Sequence, residues 1–169
     1  MLIPVFVSSP TSLNEQQSAS RQIILRTLKK HGLEARAIGK TDYPTSFPLR
    51  EVYSLARHCS GGVILGFSQF EATSGVWKKG TVSEFDSTES THFPTPWNHL
   101  EAGVLFSLNV PLLVFCECGV SGGVFDKGVT DLFVHPMPQR DQQRENTRAL
   151  QGVFAKWTAK VRMKYYDEA

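Results

Sequence analysis

Short β-rich apolar runs alternate with helical stretches along this chain, and that alternation restricts its fold more than any other feature. Residues 2–7, Leu-Ile-Pro-Val-Phe-Val, read as a buried strand that ends at Ser8-Ser9-Pro10. Residues 14–31 carry Ala19, Ile23, Ile24 and Leu28 in helical phase and stop at Gly32, a natural C-cap. Residues 33–38 form a weaker strand, polar at alternate positions, which suits a place near a sheet edge. Residues 48–59 put Leu49, Val52, Tyr53 and Ala56 on one helical face, and Gly61-Gly62 ends that helix. A third strand follows over residues 62–67 and a fourth over 110–116, with a helix from Pro96 between them. Leu132-Phe133-Val134 is a short fifth strand. The last helix, residues 144–164, carries the stripe Leu150, Val153, Phe154, Trp157 and Val161.

Strands that read as unbroken apolar runs are covered on both faces, and helices between them provide that cover. The chain is therefore expected to be one domain over residues 1–169, a flavodoxin-like α/β three-layer sandwich around a central, mostly parallel five-stranded sheet. Ligands of such sheets bind in the crevice at the carboxyl ends of the strands. That rule selects residues 8–11, residues 66–70 with Phe67 among them, the segment before Trp97, and residues 117–123. Residues 69–95 are polar, rich in Ser, Thr and Gly and without periodicity, and read as a long functional or mobile loop. In it, Trp77 with Lys78 and Lys79 suggests either a lid or a solvated turn.

Composition narrows the function classes. A net charge of +2 gives no drive toward nucleic acid or an anionic membrane surface, so neither is expected as a partner. No apolar run approaches the roughly 20 residues of a membrane span. The apolar N-terminus lacks a basic start and is interrupted by Pro4 and Ser8, unlike a secretory signal. Cys59, Cys116 and Cys118 are an odd number and no disulfide framework, which fits reduced thiols and a cytoplasmic location.

The run Thr95-Pro96-Trp97-Asn98-His99-Leu100-Glu101-Ala102-Gly103 carries the strongest chemical signal. Thr95 suits an N-cap and Pro96 the first helical position, where its missing N–H costs nothing. Trp97 and Glu101 then share a face. A lone carboxylate in an otherwise apolar helix needs a reason, because burying an unpaired charge is costly. The reading adopted is a catalytic carboxylate, competent to attack or stabilise an anomeric carbon, against the alternative of an exposed helix residue. Ser8, Ser9 and Pro10 could hold a phosphate or a sugar hydroxyl or form a plain turn, and Gly122 with Asp126 could form an anion nest or a flexible connection. His99-Leu100-Glu101 with Cys116-Glu117-Cys118 approaches the zinc-deaminase signature, but the cysteines are one residue apart instead of two, so no metal is expected. Walker-type, Gly-x-Gly-x-x-Gly and His-Glu-x-x-His motifs are absent from the sequence.

The order of these pieces resembles the nucleoside 2-deoxyribosyltransferase-like proteins and the related bacterial TIR-like nucleotide-binding domains. The resemblance rests on Val5-Phe6-Val7-Ser8-Ser9-Pro10, on Asn98-His99-Leu100-Glu101-Ala102-Gly103, and on the apolar strand that follows. It spans most of residues 2–135, and the helix segment is its most specific part. It implies cleavage or transfer at an N-glycosidic bond of a nucleoside, a nucleotide or NAD⁺. NAD⁺ enters there as a substrate, and no bound cofactor is called for. Glu101 would act at the ribosyl C1′, Trp97 would stack on the base, and Asn98, Ser8 and Ser9 would hold hydroxyls or phosphate. One departure stands out: where the transferases carry Asp-x-Gly-Thr ahead of the glutamate, this chain has Pro94-Thr95-Pro96-Trp97-Asn98. The insertion over 69–95 fits a TIR-like protein better. The alternative function is a sensor that binds a nucleotide or nucleotide-derived messenger without chemistry, acting through a partner or a homo-oligomer.

Overall fold

The computed structural model describes residues 2–38, 47–126, 128, 133–140 and 144–167. A five-stranded sheet is built from β1 (Ile3–Ser8), β2 (Leu33–Arg36), β3 (Gly61–Gly66), β8 (Leu112–Cys116) and β9 (Val134–Pro136). The strands lie in the order β2-β1-β3-β8-β9, and every neighbouring pair is parallel. Counting only these five strands, this is the doubly wound order 2-1-3-4-5, which reverses direction between β1 and β3.

Alternation along the strands sorts the core into two layers. Val5, Val7, Val63, Leu65, Leu113 and Phe115 point to one face. There they meet Ile24 and Leu28 of α1 (Glu15–Lys30) and Phe154, Trp157 and Val161 of α4 (Arg144–Asp167). Phe6, Ile64, Leu112 and Val114 point to the other face, against Val52 and Ala56 of α2 (Pro48–Ala56) and Ala102 and Leu105 of α3 (Pro96–Ser107). The result is the expected three-layer α/β sandwich. α4 approaches closely enough that a Cβ on Gly61 would come within 2.6 Å of Val161, so β3 needs glycine at that crossing. The Trp157 indole N–H donates to the Pro111 carbonyl at 3.0 Å, so burial of this ring leaves no orphaned donor.

Helix ends follow local chemistry. Asn14 caps α1 in a full capping box with Gln17, and Gly32 takes the left-handed conformation after the last turn, φ +77°. α2 stops at Ala56, three residues short of the expected end. The last strand lies at Val134–Pro136, later than expected, and Leu132 of the anticipated strand is outside the described residues.

The segment 69–95 is a correction. It is a nested pair of β-ribbons and not an unstructured loop. β4 (Phe70–Ala72) pairs antiparallel with β7 (Thr91–Phe93), and β5 (Gly75–Trp77) pairs with β6 (Phe85–Ser87). Strands of three residues are too short to show alternation in sequence, which is why they were invisible there. Trp77 stacks on Phe85 and leans on Phe93, and Phe93 meets Phe70, so cross-strand aromatic contacts take the place of a core. Trp77 is thus engaged within the ribbons.

Candidate active-site cleft

At the carboxyl ends of β1 and β3, at the point where the strand order reverses, lies a cleft of about 300 Å³. Ser9, Pro10 and Thr11 line it after β1, Ile38 after β2 and Gln69 after β3. Pro48 and Val52 of α2 and Thr95, Trp97 and Glu101 of α3 complete it. The opening of α3 builds this wall. Thr95 Oγ1 accepts from the Trp97 N–H at 3.4 Å, and Pro96 occupies the first helical position. One turn later the same face presents Glu101. Trp97 lines the cleft and remains 42% exposed.

Glu101 is half-buried among mostly uncharged lining residues. Burial pushes its pKa up to about 7, and a hydrogen bond from the Ser8 hydroxyl draws it partly back. Ser8 is the last residue of β1 and shares its face with Phe6, toward α3. Its Oγ accepts from Asn98 Nδ2 at 2.7 Å in a buried contact. Asn98 is fully buried, and its Oδ1 has no hydrogen-bond partner. An unmet buried acceptor costs on the order of 1–3 kcal/mol, so the site retains Asn98 against stability.

The sequence-derived site is thus brought together in part. Ser9, Pro10, Trp97 and Glu101 line one cleft, and Ser8 and Asn98 are buried and bonded to each other outside its lining. Three assignments need correction. Ser8 and Asn98 are 1% and 0% exposed and bonded to each other, so they do not present themselves to a ligand. Phe67 is also 0% exposed: continuing the alternation of Val63 and Leu65, it packs in the layer beneath α1 and α4, on the face opposite Glu101. Gly122 and Asp126 form no open nest, because the Asp126 carboxylate accepts the Gly122 N–H of its own turn at 2.7 Å. That turn packs through Gly123 and Phe125 against His99, away from the residues lining the cleft.

The strand-end rule pointed to the region of Glu117 without a role for it. Its Oε2 accepts from the Ser68 N–H at 2.7 Å and from Gln17 Nε2 at 2.8 Å, which ties β8 to the start of the ribbons and to the first turn of α1. Ser68 Oγ also bonds His92 Nδ1 at 3.0 Å, so the base of the ribbons is held by side chains from three elements. Gln69 reaches the cleft from this anchored base, its N–H bonded to the Phe93 carbonyl at 2.9 Å.

A larger cleft of about 550 Å³ lies between β9 and α4, lined by Phe115, His135, Met137 and Leu150 among others. Among its described lining residues the one ionisable group is His135, which burial moves toward the neutral form. It is at the far edge of the sheet and lacks a carboxylate among its described lining residues, so the smaller cleft is the candidate site. Among the described residues, no group of three His, Cys, Asp or Glu side chains converges as a metal site would require. No described helix is long and apolar enough to cross a membrane.

Fold and cleft together define a doubly wound α/β protein with a partly buried carboxylate at its switch point. No family model, curated protein or solved structure matches the chain.

Proposed function

We propose that this protein cleaves or transfers an N-glycosidic bond of a nucleoside, a nucleotide or NAD⁺, with Glu101 acting at C1′. The observation that carries this reading is that Glu101 and Trp97 together line a cleft at the sheet's switch point. The volume, about 300 Å³, lies at the low end of the 300–1,000 Å³ typical of small-molecule sites. Trp97 has a flat apolar face suited to stacking on a base, and Glu101 is one turn further along the same helix face.

In the proposed step the C1′–N bond breaks and its electron pair leaves with the base nitrogen: nicotinamide leaves NAD⁺ as a neutral molecule, whereas the base of an uncharged nucleoside leaves as an anion and takes a proton from water. The ionised Glu101 either forms a C1′–O ester or stabilises the ribosyl cation by charge. Water or a second base then bonds to C1′, gives its proton to solvent, and restores the carboxylate. A carboxylate raised to a pKa of about 7 is poorly solvated, and so is well placed to interact with a positive charge that appears only in the transition state.

Incubation with deoxynucleosides, ribonucleosides, nucleoside monophosphates and NAD⁺, followed by chromatography, tests the reading. Release of free base that disappears in Glu101→Gln supports it. A ligand-induced melting shift without product identifies a sensor instead, and neither shift nor product removes the reading.

A further inference from the structure

We propose a second reactive centre at the base of the ribbons, where Ser68 is a nucleophile, His92 its general base and Glu71 the group that orients His92, acting on a small uncharged ester. These residues lie outside the lining of the Glu101 cleft, and the proposal does not depend on the reaction assigned there.

The register of the ribbon builds the arrangement. Glu71 of β4 and His92 of β7 stand directly opposite each other in the antiparallel pair, so their side chains share a face. Ser68 lies between β3 and β4, just past the carboxyl end of a central strand, and its Oγ is 3.0 Å from His92 Nδ1. The other ring nitrogen, Nε2, is 4.0 Å from Glu71 Oε1. One imidazole therefore meets a hydroxyl on one side and a carboxylate on the other. The carboxylate favours the ring proton on Nε2, which leaves the Nδ1 lone pair to accept from Ser68. These are the roles of a nucleophile, a base and an orienting acid, which are recognised by geometry and not by order in the chain.

Each part is held in place. The His92 ring rests on Gly119, where a Cβ would lie 2.7 Å from His92 Cδ2 and φ is +86°, so only glycine fits. The backbones of His92 and Val120 form a β-bridge beside it. Ser90 Oγ donates to Glu71 Oε1. Glu117 Oε2 accepts the Ser68 N–H at 2.7 Å, and Gln17 Nε2 donates to the Ser68 carbonyl at 3.2 Å, so the backbone of the nucleophile is tied on both sides. The Cys118 and Gly119 N–H groups, in the turn under the His92 ring, are exposed and bond to no described group, which leaves them as donors for a developing oxyanion. Ser68 and His92 are half-buried and the Glu71 side chain is 54% exposed, so the centre opens to solvent. Glu71 and Glu117 place two carboxylates around the nucleophile, which disfavours an anionic substrate and selects an uncharged one.

In the step, Ser68 Oγ bonds to the ester carbonyl carbon while its proton passes to His92 Nδ1. The tetrahedral adduct expels the alcohol, which takes that proton from His92, and acyl-Ser68 remains. Water then adds to the acyl carbon with its proton taken by His92. The Ser68 oxygen leaves, recovers the proton, and the carboxylic acid is released.

The test uses the full-length protein with a neutral alkyl fluorophosphonate and with p-nitrophenyl acetate. Peptide mass spectrometry should map the phosphonate adduct to Ser68, and Ser68→Ala should abolish it. His92→Ala should slow labelling at least about 100-fold. Glu71→Gln should slow it by a smaller factor, and should lower kcat on p-nitrophenyl acetate more than it alters KM. Absence of an adduct at Ser68, or labelling unchanged in His92→Ala, would overturn the proposal. If His92→Ala fails to fold, Glu71→Gln decides in its place: slower labelling supports the assignment and unchanged labelling overturns it. Neither reagent carries an N-glycosidic bond, so this result and the one for Glu101 are read separately.

Discussion

Glu101 sits where desolvation opposes its charge, and two consequences can be measured at that residue. A nucleophilic or cation-stabilising role requires the ionised form, so the rate of base release should rise with pH and level off above about 7. A rate that falls through the same range would instead make Glu101 a proton donor. Stability should run the other way. The folded pKa is raised from 4.5 to about 7, so between these values the native state keeps a proton that the unfolded chain has lost. Stability therefore falls as pH rises through this window, and the contribution present below pH 4.5 is gone above 7. Glu101→Gln removes that loss. The variant should be inactive, yet melt higher than the wild type at pH 8, by a margin on the order of 1–3 kcal/mol that narrows toward pH 5. Matched calorimetry at the two pH values checks the sign.

At the scale of elements, α3 and the ribbons make separable predictions. Thr95→Ala removes the cap that starts α3 and should cost roughly 1 kcal/mol in urea unfolding. Gly152 lies in α4 with open space where a Cβ would go, so Gly152→Ala should stabilise by about 0.5–1 kcal/mol. Gly61→Ala should destabilise, since its Cβ would meet Val161 at 2.6 Å and Trp157 at 2.8 Å. Glu117→Ala cuts the bonds to Ser68 and Gln17 at the base of the ribbons. Hydrogen exchange should then speed up across residues 69–95 while the central strands keep their protection.

For the molecule as a whole, the layer formed by α1 and α4 carries much of the core. Phe154 is fully buried, stacked on Phe115 and edge-on to Trp157, and it joins α4 to the sheet. Phe154→Ala should cost about 3–5 kcal/mol, a large part of the 5–15 kcal/mol typical of a single domain. Loss of a cooperative urea transition, or a midpoint shifted strongly downward, would register it. The candidate cleft lies on the other face, so a variant that still folds should keep the Glu101 titration midpoint.

The sequence by itself determined the layered α/β architecture, because buried parallel strands and amphipathic helices each write a local period: unbroken apolar runs such as residues 62–67, and the stripe from Leu150 to Val161. It also marked Glu101 and Trp97, whose shared helix face is a matter of spacing alone. Only the tertiary structure decided which strand-end residues meet. Alternation sends Phe67 into the core and Ser8 toward α3, and which of the two faces holds the cleft depends on how helices from distant parts of the chain cover the sheet. The ribbons were hidden because three-residue strands leave no period, and the buried Asn98–Ser8 contact because the two residues, 90 apart, become neighbours only when β1 and α3 pack together.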